Sequence, residues 1–366
     1  MLNNQENNRF WLEDHHFLKI DKGKLIFWNY KSHEQFEITP RHASRLIDFS
    51  KGSFLKNTSL DREIFNSAVI VKKKHESHWG WDWLAHIYHY GTCHPSPPEF
   101  RGFEKTNSEN AKSYIEYCAS IAHNEPEIDV IRGGKIFNLP DPNIDSFKSI
   151  SLWDTLINRR TCRDFNGSSA ELSDLSDILF ATFGDQCSPD PTTPLNAKVH
   201  GYRRTSPSTG GLQCTEPYLW AININGLPSG IYHYLSRRHK LENVLQGNAK
   251  YPIGTYLCNQ NWANDLAFAI IMTCRMDKLW WKYPHSRAYR PMLMDVGHLS
   301  QTLNMCITAK GLHPWITGYF HDKDISELLS CPHEKEEPML IVGAGSGSGS
   351  SFSRESRNEF NKIQIS

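Results

Sequence analysis

The sequence predicts an α+β fold, and three observations carry that prediction. The run Leu266–Met272 (LAFAIIM) is apolar without interruption, the pattern of a buried strand. From about Pro291 to Lys310, the residues Met292, Val296, Leu299, Leu303 and Ile307 recur on one side at helical spacing, and Gly311 follows as a stop. Tyr218–Ile224 and Gly230–Tyr234 read as strands joined through Asn225-Gly226 and a short loop.

The other elements follow in chain order. Residues 1–65 predict a small module. Lys24–Tyr30 and Gln35–Ile38 alternate like two strands around a polar turn, and Thr39-Pro40 opens a helix over Arg41–Phe49 that Gly52 ends. Strand, turn, strand and helix in this length suit a winged-helix-like or peptide-clasping module; a plain N-terminal extension fits equally. Residues 66–140 predict a connecting helical region, with short helices at Leu84–Tyr90 and Tyr114–Ala122. Pro95, Pro97 and Pro98 end the first, and the linker Asn138–Pro142 closes the region. Residues 141–366 form the main domain. Ser151 with Asp154 opens a helix to about Asn158. Ser173 caps a second helix, with Leu175, Ile178, Leu179 and Phe183 on one face and Gly184 as its stop. A proline-rich loop, Ser188–Pro194, comes next. Trp315–Phe320 is a short extended segment and Pro338–Val342 a last buried strand. In the Gly/Ser tail that follows, the later half reads as linker.

Composition excludes several function classes. Lysine plus arginine balance aspartate plus glutamate at 40 each, so no global charge draws the chain to nucleic acid or an anionic membrane. No apolar run approaches the roughly 18 residues that would span a bilayer. The polar N-terminus MLNNQENNRF carries no targeting pattern, and a cytoplasmic location is expected. The nine cysteines form no CxxC pair, which argues against a zinc ribbon or a disulfide framework. His75/His78 and His86/His89 are i, i+3 pairs that could sit on a helix around a metal, although packing is the simpler role, and no metal is expected.

Three motifs carry chemistry. Arg159-Arg160-Thr161-Cys162-Arg163 puts three guanidiniums at a helix end, where planar forks suit a phosphate. Ser206-Pro207-Ser208-Thr209-Gly210-Gly211 is a small polar loop that lets backbone amides approach a planar ring or a phosphate. Lys282-Tyr283-Pro284 follows the buried strand, and Pro284 forces Tyr283 away from helical geometry. The expectation is a titratable pair on extended backbone, with Arg287 and Arg290 close by.

In order, RRTCRDF, RxxSPSTGG, GIYHY, KYPHSRAYR, DVGxxxQxxN and ITGYF resemble the nitroreductase-fold flavoproteins over roughly residues 150–345. Lys282-Tyr283 and the arginines after it resemble the SagB/McbC-type branch, which oxidises azolines to azoles in modified peptides. The resemblance implies a central mixed or antiparallel sheet flanked by helices, an FMN cofactor and a homodimer. It implies that Arg159, Arg160, Thr161 and Arg163 bind FMN phosphate, ribityl or ring edge. Pro207, Ser208, Thr209 and Gly210 would approach the isoalloxazine, and Thr317 and Gly318 the N5 edge. Gln301 lies on a helix that often carries adjacent Gln and Asn; here Thr302 follows it and the asparagine stands at 304. Asp295 replaces a common glutamate.

Aromatising a thiazoline or oxazoline removes a proton from one ring carbon and a hydride from its neighbour. The resemblance implies hydride transfer to flavin N5, Lys282 as base with Tyr283 orienting the substrate or relaying a proton, and reoxidation by oxygen. It implies a peptide or amino-acid-derived heterocycle as substrate and leaves a cyclodehydratase partner open. Two other readings remain: an NAD(P)H-dependent nitro or quinone reductase, and a non-catalytic scaffold subunit of a peptide-modifying complex.

Overall fold

A computed structural model describes residues 9–74, 79–93, 106–186, 203–331 and 334–365. The His75/His78 pair, the prolines at 95, 97 and 98 and the loop Ser188–Pro194 lie outside the described residues. The chain divides into two compact units, Met1–Glu104 and Lys105–Ser366. Strand pairing shares out the chain between residues 65 and 140. Ile70–Val71 pairs back onto Arg9–Leu12 in the N-terminal unit. Ile136–Asn138 pairs with Lys240–Gln246 in the larger one.

In the N-terminal unit, Lys24–Asn29 and Gln35–Ile38 form the expected strands. A third strand, His16–Asp21, joins them through a two-residue turn in which Lys22 and Gly23 both have positive φ, 47° and 80°. Thr39 caps the helix Pro40–Ser50 by accepting from the His42 amide. Phe10, Phe27, Leu46, Phe49 and Ile64 form the core of this unit. His86, raised above as a metal ligand, meets the Tyr30 hydroxyl at 2.9 Å. Among the described residues no group of three or more His, Cys, Asp or Glu is arranged to hold a metal.

The larger unit is built on seven strands: β1 Ile136–Asn138, β2 Thr215–Ala221, β3 Gly230–Leu235, β4 Lys240–Gln246, β5 Phe268–Arg275, β6 His313–Thr317 and β7 Glu336–Gly345. They form one sheet in the order β6-β7-β5-β2-β3-β4-β1, with every neighbouring pair antiparallel. Besides two single-turn helices, Asp145–Lys148 and Ile253–Tyr256, the helices among the described residues are α1 Asn107–Ile121, α2 Leu152–Asn158, α3 Leu172–Phe183, α4 Met276–Lys282, α5 Tyr289–Ala309, α6 Asp322–Leu329 and α7 Arg354–Ile365. One face of the sheet packs against α3 and α5 through Leu175, Ile178, Phe183, Met292, Leu299 and Leu303. The other carries Tyr218, Trp220, Ile271 and Trp315 against Ile325 and Leu329 of α6. Strand β5 lies inside the sheet and is buried at all its residues, which is why its sequence shows no polar alternation. It begins two residues later than expected and kinks at a bulge between Met272 and Thr273.

The Gly/Ser tail is not a linker. Strand β7 runs to Gly345, and Phe165 bridges to Gly347. A Cβ at Gly347 would collide with the Asp164 carbonyl, so close backbone approach explains the small residues there. Ser348 donates to Asp164, and Arg354 and Arg357 pair with the same carboxylate, both at 2.6 Å. These hydrogen bonds hold the Asp164 carboxyl down at about 2, and helix α7 follows. No helix among the described residues is long and apolar enough to cross a membrane.

Candidate active site

The centre of the site is where α4 ends. Lys282 does not sit on extended backbone as expected; it is the last residue of the short helix α4, which starts directly after β5. Tyr283 does leave the helix, at φ −130° and ψ 77°, as the following proline requires. The turn buries Lys282 to 1% exposure. Its Nζ donates to the Gly210 carbonyl at 3.0 Å and lies 5.7 Å from the Tyr114 ring centroid and 5.8 Å from that of Tyr283.

Burial pushes the Lys282 amine below the usual lysine range, with the nearby Cys118 thiol opposing. Desolvation is therefore the source of the shift. Burial also raises the Tyr283 phenol, which stays a hydrogen-bond donor at neutral pH.

The Lys-Tyr pair and the small polar loop, separate motifs in sequence, meet at Gly210. That residue has φ 58°, and a Cβ on it would strike the Tyr283 hydroxyl. Both conditions select glycine. The loop is fixed from behind by Asp295 on α5. Its carboxylate accepts from Ser208 Oγ at 3.1 Å, the Thr209 amide at 2.7 Å and Thr209 Oγ1 at 3.0 Å. Burial raises the Asp295 carboxyl against these lowering hydrogen bonds. Ser206 is tied to α5 as well, 2.6 Å from Thr302 Oγ1. Pro207 is exposed at the loop tip. Arg204, just before the loop, is a buried clamp that donates to the carbonyls of Phe183 and Thr215, each at 2.9 Å.

The arginine cluster follows α2, with Arg159 as its C-cap residue. Arg163 is partly committed: it donates to the Ser351 carbonyl at 2.7 Å and lies 5.9 Å from the Trp262 ring. Arg159 is half-buried and Arg160 exposed, and no hydrogen bond or ion pair takes up either side chain among the described residues. Thr161 is half-buried beside them. Helix α5 packs against both α2 and the Thr209–Gly211 turn, linking the two regions.

The remaining expected residues are dispersed. Gln301 is exposed on α5, while Asn304 is buried and donates to the Ser300 carbonyl at 2.7 Å. Thr317 is buried and holds Gln260 through its hydroxyl, and Gly318 is exposed. An apolar cavity of about 340 Å³ opens beside Tyr283, lined by Met276, Leu279, Trp280, Tyr289 and Met292. Tyr114, Tyr117 and Cys118 of α1, which surround Lys282, were not expected. Their i, i+3, i+4 spacing on one helix face was the available signal.

A family profile described as Nitroreductase family matches residues 156–346, just over half of the chain. A nitroreductase-type protein of Methanocaldococcus jannaschii is 27% identical over 58% of this chain and 98% of its own length. Two proteins of Rhizobium leguminosarum bv. trifolii are also similar. The trifolitoxin operon protein TfxC is 22% identical over 68% of this chain and 66% of its own length. The trifolitoxin-processing protein TfxB is 25% identical over 45% and 43% respectively. The chain thus spans slightly less than two thirds of one of these Rhizobium proteins and under half of the other.

Proposed function

The chain belongs to the nitroreductase family, whose members generally bind FMN, and on that premise we propose that it is an FMN-dependent dehydrogenase converting azoline rings of a modified peptide to azoles. The observation that carries this reading is the buried Lys282 amine, held in dry surroundings against the Gly210 carbonyl with Tyr283 beside it. An amine whose neutral form is favoured by burial is suited to accept a proton from carbon. Passing electrons from nicotinamide to a nitro or quinone group needs no such base. The trifolitoxin names of two relatives support a peptide as the substrate. The same context makes a cyclodehydratase a natural partner.

The residues fit FMN. Arg159 and Arg160 offer two guanidiniums that no described carboxylate takes up, and a phosphate suits their planar forks. In this reading they hold the phosphate end together with Thr161 and Arg163. Pro207, Ser208, Thr209 and Gly210 would face the ribityl and ring, and Gln301, Thr317 and Gly318, set apart from that loop, would have to be reached by the far edge of the ring. When bound, FMN supplies the acceptor for a hydride leaving one carbon of the azoline. Lys282 Nζ takes the proton from the adjoining carbon, so the ring loses two hydrogens and becomes aromatic. Tyr283, kept protonated by burial, donates a hydrogen bond that orients the heterocycle. Asp295 keeps the loop in register by occupying the Ser208 and Thr209 hydroxyls. Helix α2 presents Leu152 and Trp153 at 69% and 68% exposure just before the arginines, and a second copy of the chain is assigned to cover them.

The test is mass spectrometry of an azoline peptide incubated with the purified yellow protein. A loss of about 2 Da per ring is expected, the mass of the two hydrogens removed. Intact peptide with flavin bound would sink the reading. The M. jannaschii relative favours a second reading, an NAD(P)H-dependent nitro or quinone reductase. Rapid flavin reduction by NAD(P)H in stopped flow would select it, and a colourless protein would select a scaffold role instead.

A further inference from the structure

Helix α1 is weakly embedded: of its fifteen residues only Cys118 is buried. Yet three of its groups converge on α4. Tyr117 Oη donates to the Lys282 carbonyl at 2.5 Å. The Tyr114 ring faces the Lys282 ammonium position at 5.7 Å. The Ile121 carbonyl accepts from Trp281 Nε1 at 3.1 Å. The chain that leaves α1 continues the contact, since Lys278 Nζ donates to the Ile128 carbonyl at 3.1 Å. Lys278, Trp281 and Lys282 are spaced i, i+3, i+4, so α1 and its exit segment dock on a single face of α4. Beyond them the exit segment is pinned to the sheet. The Arg132 and Gly134 amides donate to Glu242 at 2.8 and 3.0 Å, and the Arg132 guanidinium reaches Tyr218 at 2.6 Å.

We propose that α1 is a cover for Lys282, in which Tyr114 and Tyr117 are positioning residues: the Tyr114 ring keeps water from the amine, and the Tyr117 hydroxyl fixes the end of α4 that aims it. In function this rests on Lys282 being the proton acceptor, and α1 then governs whether that acceptor is neutral when substrate arrives. The chemistry of the cover is consistent with the task. Partial desolvation, with Cys118 beside it, holds the Tyr114 phenol up at about 12, so it presents a neutral ring and not a phenolate that would favour the charged amine. The helix is anchored at its C-terminal end and buried at one residue, so lifting it exposes little apolar surface and separates few contacts.

The test is competitive labelling of amines in the FMN-loaded full chain across pH, read by mass spectrometry at Lys282. Lys112, 78% exposed on the same helix, serves as the internal reference. In the native protein the Lys282 midpoint is expected below that of Lys112. In Tyr114→Ala/Tyr117→Ala it is expected to move up toward Lys112, and the acidic limb of kcat/KM for the azoline peptide to move with it. A native midpoint equal to that of Lys112, or one that the double substitution leaves unmoved, overturns the cover. Should the double variant fail to fold, Tyr117→Phe removes a single hydrogen bond and is judged by the same criterion, with a smaller upward shift expected. The two proposals fail separately. A low, cover-dependent Lys282 midpoint with no peptide oxidation supports the cover and overturns the azoline reading; peptide oxidation with an unmoved midpoint does the reverse.

Discussion

Lys278 and Lys282 lie one turn apart on α4, are both nearly inaccessible to water, and use their burial in opposite ways. Lys278 donates to Glu216 at 2.8 Å, a carboxylate that burial would raise but that the Lys278 charge holds well below its usual range. It is an ion pair inside the sheet. Among the described residues, Lys282 meets a carbonyl and two phenol rings. The first arrangement locks a charge in place, and the second weakens it. The same residue type, one helical turn on, thus passes from structural cation to candidate base: Lys278 donates to a carboxylate that favours its charge, and at Lys282 desolvation outweighs what favours the charged form.

Two substitutions break this comparison at its strongest points. Lys282→Ala removes the acceptor whose Nζ donates to the Gly210 carbonyl. Oxidation of an azoline peptide is expected to fall by about 10²–10⁴-fold, the usual span for a positioned acid or base, with FMN absorbance and melting temperature nearly unchanged. Normal turnover with flavin bound would remove Lys282 from the mechanism. Lys278→Met should do the reverse. It takes from the buried Glu216 the cation that does most to hold its charge, and breaking a buried pair from one side costs about 3–5 kcal/mol. Urea unfolding would register that loss, while turnover of the protein that remains folded should change little. Equal losses of stability in the two variants would collapse the distinction between the lysines.

How much of this was legible in the sequence follows from which patterns are local. The β5 segment was readable because a strand buried on both faces has no polar alternation, and α5 because its apolar stripe repeats through five positions. The Gly/Ser tail was misread because small residues serve freedom and close packing alike; only the contact between Gly347 and Asp164 decides between them. Strand β1, three residues at the sheet edge, is too short for any periodicity. The arginine cluster was visible as charge, but sequence could not separate Arg163, engaged by the tail, from Arg159 and Arg160. Helix α1 was visible as a helix and invisible as part of the site. Its one buried residue makes no stripe, and the distance from Tyr117 to Lys282 in sequence hides their contact in space.

The paired-cation side of the comparison extends to a smaller, pH-dependent effect. Glu216 also approaches His233, 3.2 Å from Nε2, and Glu242 lies 3.9 Å from Nδ1, beyond hydrogen-bond length, so it acts through its charge. The Tyr218 ring stacks on the imidazole at 4.8 Å. With Glu336 bound by Tyr218 and Arg132, three buried carboxylates face Lys278, Arg132 and His233. Charge balances only when the imidazole is protonated. Burial alone would pull the His233 pKa down, but the Glu216 hydrogen bond and the surrounding carboxylates outweigh it, and the net shift is upward. A group whose folded pKa is raised contributes stability that is complete below the unfolded value, about 6.5 for histidine, and is lost as pH climbs through the folded value. Urea midpoints are therefore expected to decline from neutral toward alkaline pH, with His233→Gln less stable at neutral pH and lacking that decline. A native profile as flat as that of His233→Gln would mean that the imidazole is neutral in the fold and that the three carboxylates face only the two charges of Lys278 and Arg132.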